Sequence, residues 1–232
     1  PAGIAMDVNK GPLEKAQEHI REEKIGGKIA TRLGNGLAPL EPGETDTVII
    51  AGMGGDLICK ILKAKPEFLI EGKEFILQPQ SEWFKIRRLL KEYRYQIEKE
   101  WFLKEDGKYY VIIKAEPAWT QPQRLKHQQP SIHEYIKEIS DTQVNQAVSE
   151  KDMESIYEQY GKYLIETKNP VLKEYLEKEI TKKESIAAEL KQSIKEMESE
   201  ELSGKERGNI AKRQRRYQEI QKEIRDMRKA IG

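Results

Sequence analysis

Residues 47–58 read Thr47-Val48-Ile49-Ile50-Ala51-Gly52-Met53-Gly54-Gly55-Asp56-Leu57-Ile58. A short β-branched, apolar run stops at three glycines within four residues, and a helical pattern (Asp56, Leu57, Ile58, Ile61, Leu62) begins at once. Strand, glycine turn, helix is how α/β proteins bring bare backbone up to a ligand at the carboxyl end of a parallel strand. One glycine is enough for a turn. Three so close together mean that something has to approach the backbone.

Working outward, the chain up to about Pro117 alternates strand and helix. Ile4–Val8 reads as a strand end, and a helical stripe (Leu13, Ala16, Ile20) follows Pro12. Ile29–Leu33 is strand-like and turns at Gly34-Asn35-Gly36. Val48–Ile50 reads as the clearest buried strand, and Glu74–Leu77 as another, ending at Gln78-Pro79-Gln80. Ser81 is placed to cap a helix carrying Trp83, Ile86, Leu89 and Leu90. Tyr95–Phe102 and Lys108–Ala115 flank the turn Glu105-Asp106-Gly107-Lys108 and predict an antiparallel hairpin. Strands separated by helices favour βαβ crossovers and a mainly parallel sheet.

Beyond Pro117 the pattern changes. Trp119–Pro130 is rich in proline and glutamine and reads as a linker or a surface crossing. From about Asp152 strands vanish. Leu176, Ile180, Ala187, Leu190, Ile194 and Met197 lie near a heptad seam broken by Lys183. Ile210, Tyr217, Ile220, Ile224, Met227 and Ile231 form a second seam broken by Arg213, and Gly204 and Gly208 sit between the two as helix breakers. Two such helices fold back as an antiparallel coiled-coil hairpin, because neither buries its stripe alone. A shorter helix is expected around Tyr157, Tyr160, Tyr163 and Leu164.

Composition narrows the function. Of 232 residues, 35% are charged and 37% hydrophobic, and the formal net charge of +1 hides a strongly basic last helix. Lys212, Arg213, Arg215, Arg216 and Lys222 lie on it, and such a helix attracts phosphate, although the same charges also solubilise a coiled coil. The single cysteine, Cys59, rules out an intramolecular disulfide. No apolar run approaches the ~18 residues that cross a bilayer, and the opening residues carry no signal-peptide pattern, so a cytoplasmic location and no membrane partner are expected. His19, His127 and His133 have no metal spacing with Cys59 or one another, so no metal is expected. The lack of a Ser/His/Asp signature or a phosphate-binding Gly-Lys-Ser/Thr loop argues against a hydrolase of common type.

The strand ends collect the candidate binding residues. Asp7 stands where nucleoside-binding α/β folds place an acid on the ribose hydroxyls, which is also where an Asp caps a helix. Asn35 offers an amide to an adenine edge or belongs to a plain turn. Gln78 and Gln80 put two neutral amides near the same rim, able to orient a base without adding charge.

These residues together resemble a known family. Asp7 with Lys10-Gly11-Pro12, Arg32-Leu33-Gly34-Asn35-Gly36-Leu37, Ile50–Gly55, Leu77–Gln80 and Glu105–Tyr110, in that order, resemble the bacterial TrmK family, tRNA (adenine-N1)-methyltransferases acting at position 22. The resemblance implies a Rossmann-like class I methyltransferase sheet over residues 1–117 and a helical coiled-coil domain that binds tRNA over 118–232. It implies S-adenosylmethionine as methyl donor, with Asp7 on its ribose, Asn35 and Gly36 at its adenine, and Ala51, Gly52, Met53 and Gly54 at its methionine end. Gly52, Met53, Gln78, Pro79 and Gln80 are then the catalytic set around the target adenine. Two departures stand out. The family has Asp where this chain has Asn35. The family's opening strand and its Asp-Ile-Gly-Ser-Asp-His-like loop do not occur in the chain, which starts at the fold's second strand. Either the sequence is part of a longer chain or the first βα unit has been lost, and only a protein truly lacking that unit is expected to bind the donor poorly.

Adenine N1 carries a lone pair and no proton at neutral pH, so it attacks a sulfonium methyl without a strong base. Catalysis is then mainly alignment, and the base must leave the RNA stack to be aligned. A monomer acting on tRNA is expected. The alternatives are a small-molecule methyltransferase, against which the basic helix argues, and a non-catalytic RNA-binding adaptor with a decayed cofactor fold.

Overall fold

The computed structural model describes residues 2–118, 148–198 and 204–232, so the linker expected at Trp119–Pro130 lies outside the described residues. In chain order the elements are β1 (Gly3–Asp7), α1 (Lys10–Glu22), β2 (Ile29–Leu33), β3 (Thr47–Gly54), α2 (Gly55–Ala64), α3 (Pro66–Ile70), β4 (Glu74–Ser81), α4 (Trp83–Glu92), β5 (Tyr95–Glu105), β6 (Lys108–Pro117), α5 (Val148–Tyr160), α6 (Lys162–Glu166), α7 (Pro170–Glu198) and α8 (Gly204–Ile231). They divide into two compact units. One runs to Lys99 and resumes at Ile112, and the other holds Glu100–Val111 and the helices from Val148 on.

In the first unit β1 pairs with β2 in parallel, with Asp7 opposite Leu33. A second sheet has the order β3-β4-β6-β5. Within it β3 and β4 are parallel and β4 and β6 antiparallel, Phe75 facing Ala115 and Leu77 facing Ile113. The expected mainly parallel sheet is therefore a parallel pair beside a mixed sheet. The alternation of side chains along β3 buries Val48 and Ile50 and leaves Ile49 67% exposed, so the run read as wholly buried has only one buried face. Ile58 and Leu62 of α2, Phe68 and Leu69 of α3, and Ile86 and Leu90 of α4 are fully buried, as are Phe75, Leu77 and Ile113 of the sheet. This core holds the carboxyl ends of β3 and β4 side by side.

Two boundaries differ from the sequence reading. Both β3 and β4 run on through their glycine and glutamine ends, to Gly54 and Ser81. The residue capping α4 is Glu82, in a left-handed conformation (φ 53), and not Ser81, which remains the last residue of β4. The β5–β6 turn is as expected, with Asp106 (φ 47) and Gly107 (φ 75) supplying the two left-handed residues of a tight hairpin.

In the second unit α7 and α8 form the antiparallel hairpin. Leu176, Ile180, Ala187, Ile210, Ile220, Ile224 and Met227 are buried along their stripes. The two cations that break the seams reach the opposite helix: Lys183 pairs with Glu223, and Arg213 donates to Ser193 and, at 3.1 Å, to Met197 Sδ. Gly208 does not break the helix, for α8 starts at Gly204 and passes through it. Asn169 caps α7, its Oδ1 accepting the N–H groups of Val171 and Leu172 at 3.0 Å each. The short helix expected around Tyr157–Leu164 is two, α5 and α6, parted at Gly161 (φ 92). No helix among the described residues is long and apolar enough to cross a membrane.

The tip of the β5–β6 hairpin belongs to this second unit and is held by an aromatic cluster. Phe102, Tyr109 and Tyr175 have ring centroids 5.0–5.8 Å apart. Glu174 beside them accepts from Lys104 and Lys178 at 2.6 Å each, then from the Tyr109 hydroxyl at 3.2 Å, and the two lysines hold its carboxyl down at about 2. Phe102 is 2% exposed. Phe102→Ala is expected to destabilise the protein by about 3–5 kcal/mol, read as a lower denaturation midpoint at unchanged slope.

Candidate functional site

Asp7 closes β1. Its Oδ1 accepts the Asn9 N–H at 2.7 Å, bending the chain into α1. This is an Asx turn and not the helix cap the sequence allowed, since Asn9 is the residue before α1 and no side chain caps that helix; among the described residues the bond engages one Asp7 oxygen only. Gly34 donates its N–H to the Asp7 carbonyl at 3.0 Å, so the Gly34-Asn35-Gly36 turn starts directly beside Asp7. The Asn35 side chain is exposed and has no hydrogen-bond partner among the described residues. Gly36 has φ 54, and a Cβ there would come within 2.8 Å of the Ile61 side chain, which is why the turn rests on α2 only with glycine.

What holds this loop has no local sequence signal. Arg32 donates to both Glu44 carboxylate oxygens at 2.6 Å and to the Pro39 carbonyl at 2.9 Å, while Glu44 also accepts the Glu41 N–H at 2.7 Å. The Arg32 guanidinium, helped by that N–H, brings the Glu44 carboxyl down to about 2. Lys65 Nζ donates to the Leu40 carbonyl at 3.0 Å and fixes the far side of the loop. Arg32 stood in the family-like motif, but its partner twelve residues on follows no periodic spacing.

At the ends of β3 and β4 the structure sorts the glycines. Gly55 lies against backbone, where a Cβ would meet the Glu82 and Ser81 carbonyl oxygens at 2.6 and 2.7 Å, and Gly54 lies against the Ser81 hydroxyl at 3.3 Å. Gly52 is different. It has φ 78, is exposed, and faces open space, with nothing within 4 Å of where a Cβ would stand. Its N–H donates to Gln78 Oε1 at 2.8 Å. Among the described residues, Gln78 Nε2 is then a buried donor with no partner. The rim therefore combines an open backbone wall with a neighbouring amide whose acceptor end is occupied and whose donor end is buried and unpaired among the described residues. Gln80 is exposed, and Pro79 is buried with Phe75 and Leu77 on the other side of β4. Ala51 is exposed and Met53 half-buried beside Gly52.

Candidate carboxylate ligands elsewhere do not compete. Glu74, Glu98 and Glu116 converge, and Lys114 Nζ already lies 3.1, 2.5 and 3.2 Å from them.

In the helical unit the five basic residues split into two groups. Arg213 is turned to α7, and Arg216 pairs with Glu219 at 3.1 Å and Glu223 at 3.4 Å. Lys212, Arg215 and Lys222 are exposed and have no partner among the described residues. Their spacing of three and seven residues puts them on one stripe of α8.

Known proteins fit this description. The family model TrmK, tRNA (adenine(22)-N(1))-methyltransferase, matches residues 1–159. The tRNA (adenine(22)-N(1))-methyltransferase of Bacillus subtilis is 32% identical over a match spanning 61% of this chain and 72% of that one. Among solved structures, the B. subtilis m1A22 tRNA methyltransferase TrmK superposes with a TM-score of 0.68 at 23% identity, covering 99% of this chain and 81% of that one. TrmK of M. capricolum, solved with S-adenosyl-homocysteine, superposes with a TM-score of 0.62 at 22% identity, covering 98% and 79%. The superpositions establish the fold, Rossmann-like with a C-terminal helix pair, and the family match covers both strand ends described above.

Proposed function

We propose, from the premise that this chain belongs to the TrmK family of tRNA (adenine(22)-N(1))-methyltransferases, that the rim formed by Ala51–Gly54 and Gln78 is where its reaction takes place. The reaction is the family's, S-adenosylmethionine-dependent methylation of N1 of adenine 22 in tRNA. Gly52 is the observation that carries the reading: it is the glycine of its run with nothing within 4 Å of where a Cβ would stand, and its side of the rim is open.

The residues suit the donor. Asp7, with one carboxylate oxygen still unengaged, would accept from ribose hydroxyls. Asn35 and Gly36 would border the adenine, on a loop pinned by Arg32 and Glu44. Ala51, Gly52, Met53 and Gly54 would line the methionine end. Bound there, S-adenosylmethionine supplies an electrophilic methyl group.

The rest is done by the chain. Adenine N1 needs no base to become a nucleophile, so neutral groups that orient the ring suffice. Gln78 holds Gly52 through Oε1 and offers Nε2 to an acceptor on the target base, leaving N1 free. Gln80, exposed two residues on, would meet the same base from the strand end. Lys212, Arg215 and Lys222 would grip tRNA phosphates, reading shape more than sequence. The division into a methyltransferase domain over 1–117 and a tRNA-binding helical domain over 118–232 is part of this proposal.

The experiment is methyl transfer from S-adenosylmethionine to tRNA transcripts carrying A22 or G22, mapped by primer extension. A stop at position 22, seen only with A22, is the expected result. Methylation that ignores the substitution overturns the reading. Separately, Arg32→Ala is expected to weaken S-adenosylmethionine binding by roughly tenfold, measured by calorimetry, because the loop carrying Asn35 loses its hold.

A further inference from the structure

Beyond the rim, the first turns of α2 and α4 are joined by an ion cluster that has no place in the reading so far. Lys85 Nζ lies 2.8 Å from Asp56 Oδ1 and 2.6 Å from Glu82 Oε1. The other Glu82 oxygen accepts the Asp56 backbone N–H at 3.2 Å, and Lys60 holds Asp56 Oδ2 at 2.7 Å. Asp56 directly follows the glycine run, and Glu82 follows Gln78-Pro79-Gln80-Ser81. The cluster thus links the two segments that bound the rim.

Three features of its surroundings show that this link has work to do. First, the β3–β4 ladder is irregular where the rim begins: the register shifts between Ala51 and Met53 and again between Met53 and Gly54. Pairing resumes at Gly54 opposite Ser81, so the bulged stretch between Ala51 and Gly54 is the part that regular pairing leaves unfixed. Second, Gly55 lies in backbone contact with Ser81 and Glu82, so the segments are pressed together without a side chain between them. Third, Glu82 has φ 53, a conformation that glycine adopts freely and that costs other residues about 1–2 kcal/mol. A glycine would relieve that strain. Glutamate adds only its carboxylate, and the carboxylate grips Lys85 and Asp56.

We propose that Asp56, Glu82 and Lys85 form a positioning clamp that fixes the distance between the Gly52–Gly54 wall and the Gln78–Gln80 strand end, and so the approach of the target base to the methyl group. The proposal rests on the reading of the rim above. A reaction that relies on alignment and not on a base is sensitive to such a distance, since misplacement by about 1 Å costs on the order of 10²-fold in rate.

The charges hold across the working range. Hydrogen bonds from Lys60 and then Lys85 bring Asp56 down to about 2, Lys85 lowers Glu82, and Asp56 and then Glu82 raise Lys85. Because both carboxylates lie below their ordinary values, the clamp is complete above about pH 4; the Asp56 grip is lost as pH falls through about 2, and that of Glu82 weakens in the same direction.

The test compares wild type, Glu82→Gly, Lys85→Met and Lys85→Arg in the full-length protein, measuring kcat and KM for tRNA, the Kd of S-adenosylmethionine, and thermal unfolding. Glu82→Gly removes the carboxylate and relieves the backbone, so its unfolding temperature is expected to stay within a few degrees of wild type. Its kcat is expected to fall by ~30- to 100-fold, with KM and Kd within about threefold. Lys85→Met should fall likewise, and Lys85→Arg should recover most of the loss. If Lys85→Met does not fold, Glu82→Gly decides alone. A folded Glu82→Gly with kcat within twofold of an active wild type overturns the clamp and leaves the rim reading standing. A loss that appears in Kd and not in kcat also overturns it. A wild type that transfers no methyl group to tRNA overturns the rim reading and the clamp together.

Discussion

Replacing Gly52 with alanine is expected to lower methyl transfer to tRNA by ~10²-fold or more while the protein stays folded. The two effects separate because of where Gly52 stands. Nothing lies within 4 Å of the position a Cβ would take, so the methyl group meets no protein atom. The cost to folding is that of alanine at φ 78, about 1–2 kcal/mol. The cost to the reaction is larger, because the methyl group stands in the space where donor and base must meet, and the strain tilts the N–H that Gln78 holds. Steady-state kinetics beside a denaturant titration measures both. Gly55→Ala serves as the contrast: its methyl group would strike the Ser81 and Glu82 carbonyl oxygens, so it is expected to lose stability and activity together. Full activity in a folded Gly52→Ala would remove the rim from the mechanism.

The second large effect concerns the hairpin. Reversing three charges, Lys212→Glu, Arg215→Glu and Lys222→Glu, is expected to weaken tRNA binding by ~10²-fold or more at physiological salt, and to reduce the slope of log affinity against log salt by about 2–3. The Kd of S-adenosylmethionine should not move. These three residues, exposed and without ion-pair partners among the described residues, are the ones available to phosphate. Arg213 and Arg216 offer the internal comparison. Arg213 reaches Ser193 and Met197, and Arg216 reaches Glu219 and Glu223. Reversing those two is expected to lower the melting temperature of the helical unit more, and the salt slope less. Binding that ignores all five substitutions would take the hairpin out of tRNA recognition.

Much of this was legible in the amino-acid order because it depends on short-range periodicity. The strand-like run Ile29–Leu33 placed β2, the glycine run announced the β3–α2 junction, and the Asp-Gly pair at 106–107 announced the hairpin. The paired heptad seams announced the α7–α8 hairpin, and even their interruptions were informative, for Lys183 and Arg213 both reach across to the other helix. What was not legible depends on long-range packing. Three glycines in a row of four look alike on paper. Only the approach of the Ser81–Glu82 backbone separates Gly55, which packing requires, from Gly52, which faces open space, and from Gly54, which faces the Ser81 hydroxyl. The choice of Glu82 over Ser81 as the residue before α4 follows from the continuation of β4, which takes Ser81 into the sheet opposite Gly54. Arg32–Glu44 and Lys85–Asp56 are pairs set by where loops return, and no local pattern encodes them.

Of all these measurements, one addresses the rim most directly: amide chemical shifts of the isotope-labelled full-length protein during titration with S-adenosyl-homocysteine. Saturable shifts concentrated at Asp7, Asn35–Gly36 and Ala51–Gly54 are the predicted result. Saturable binding that leaves the Gly52 and Gly54 amides unmoved would contradict the account.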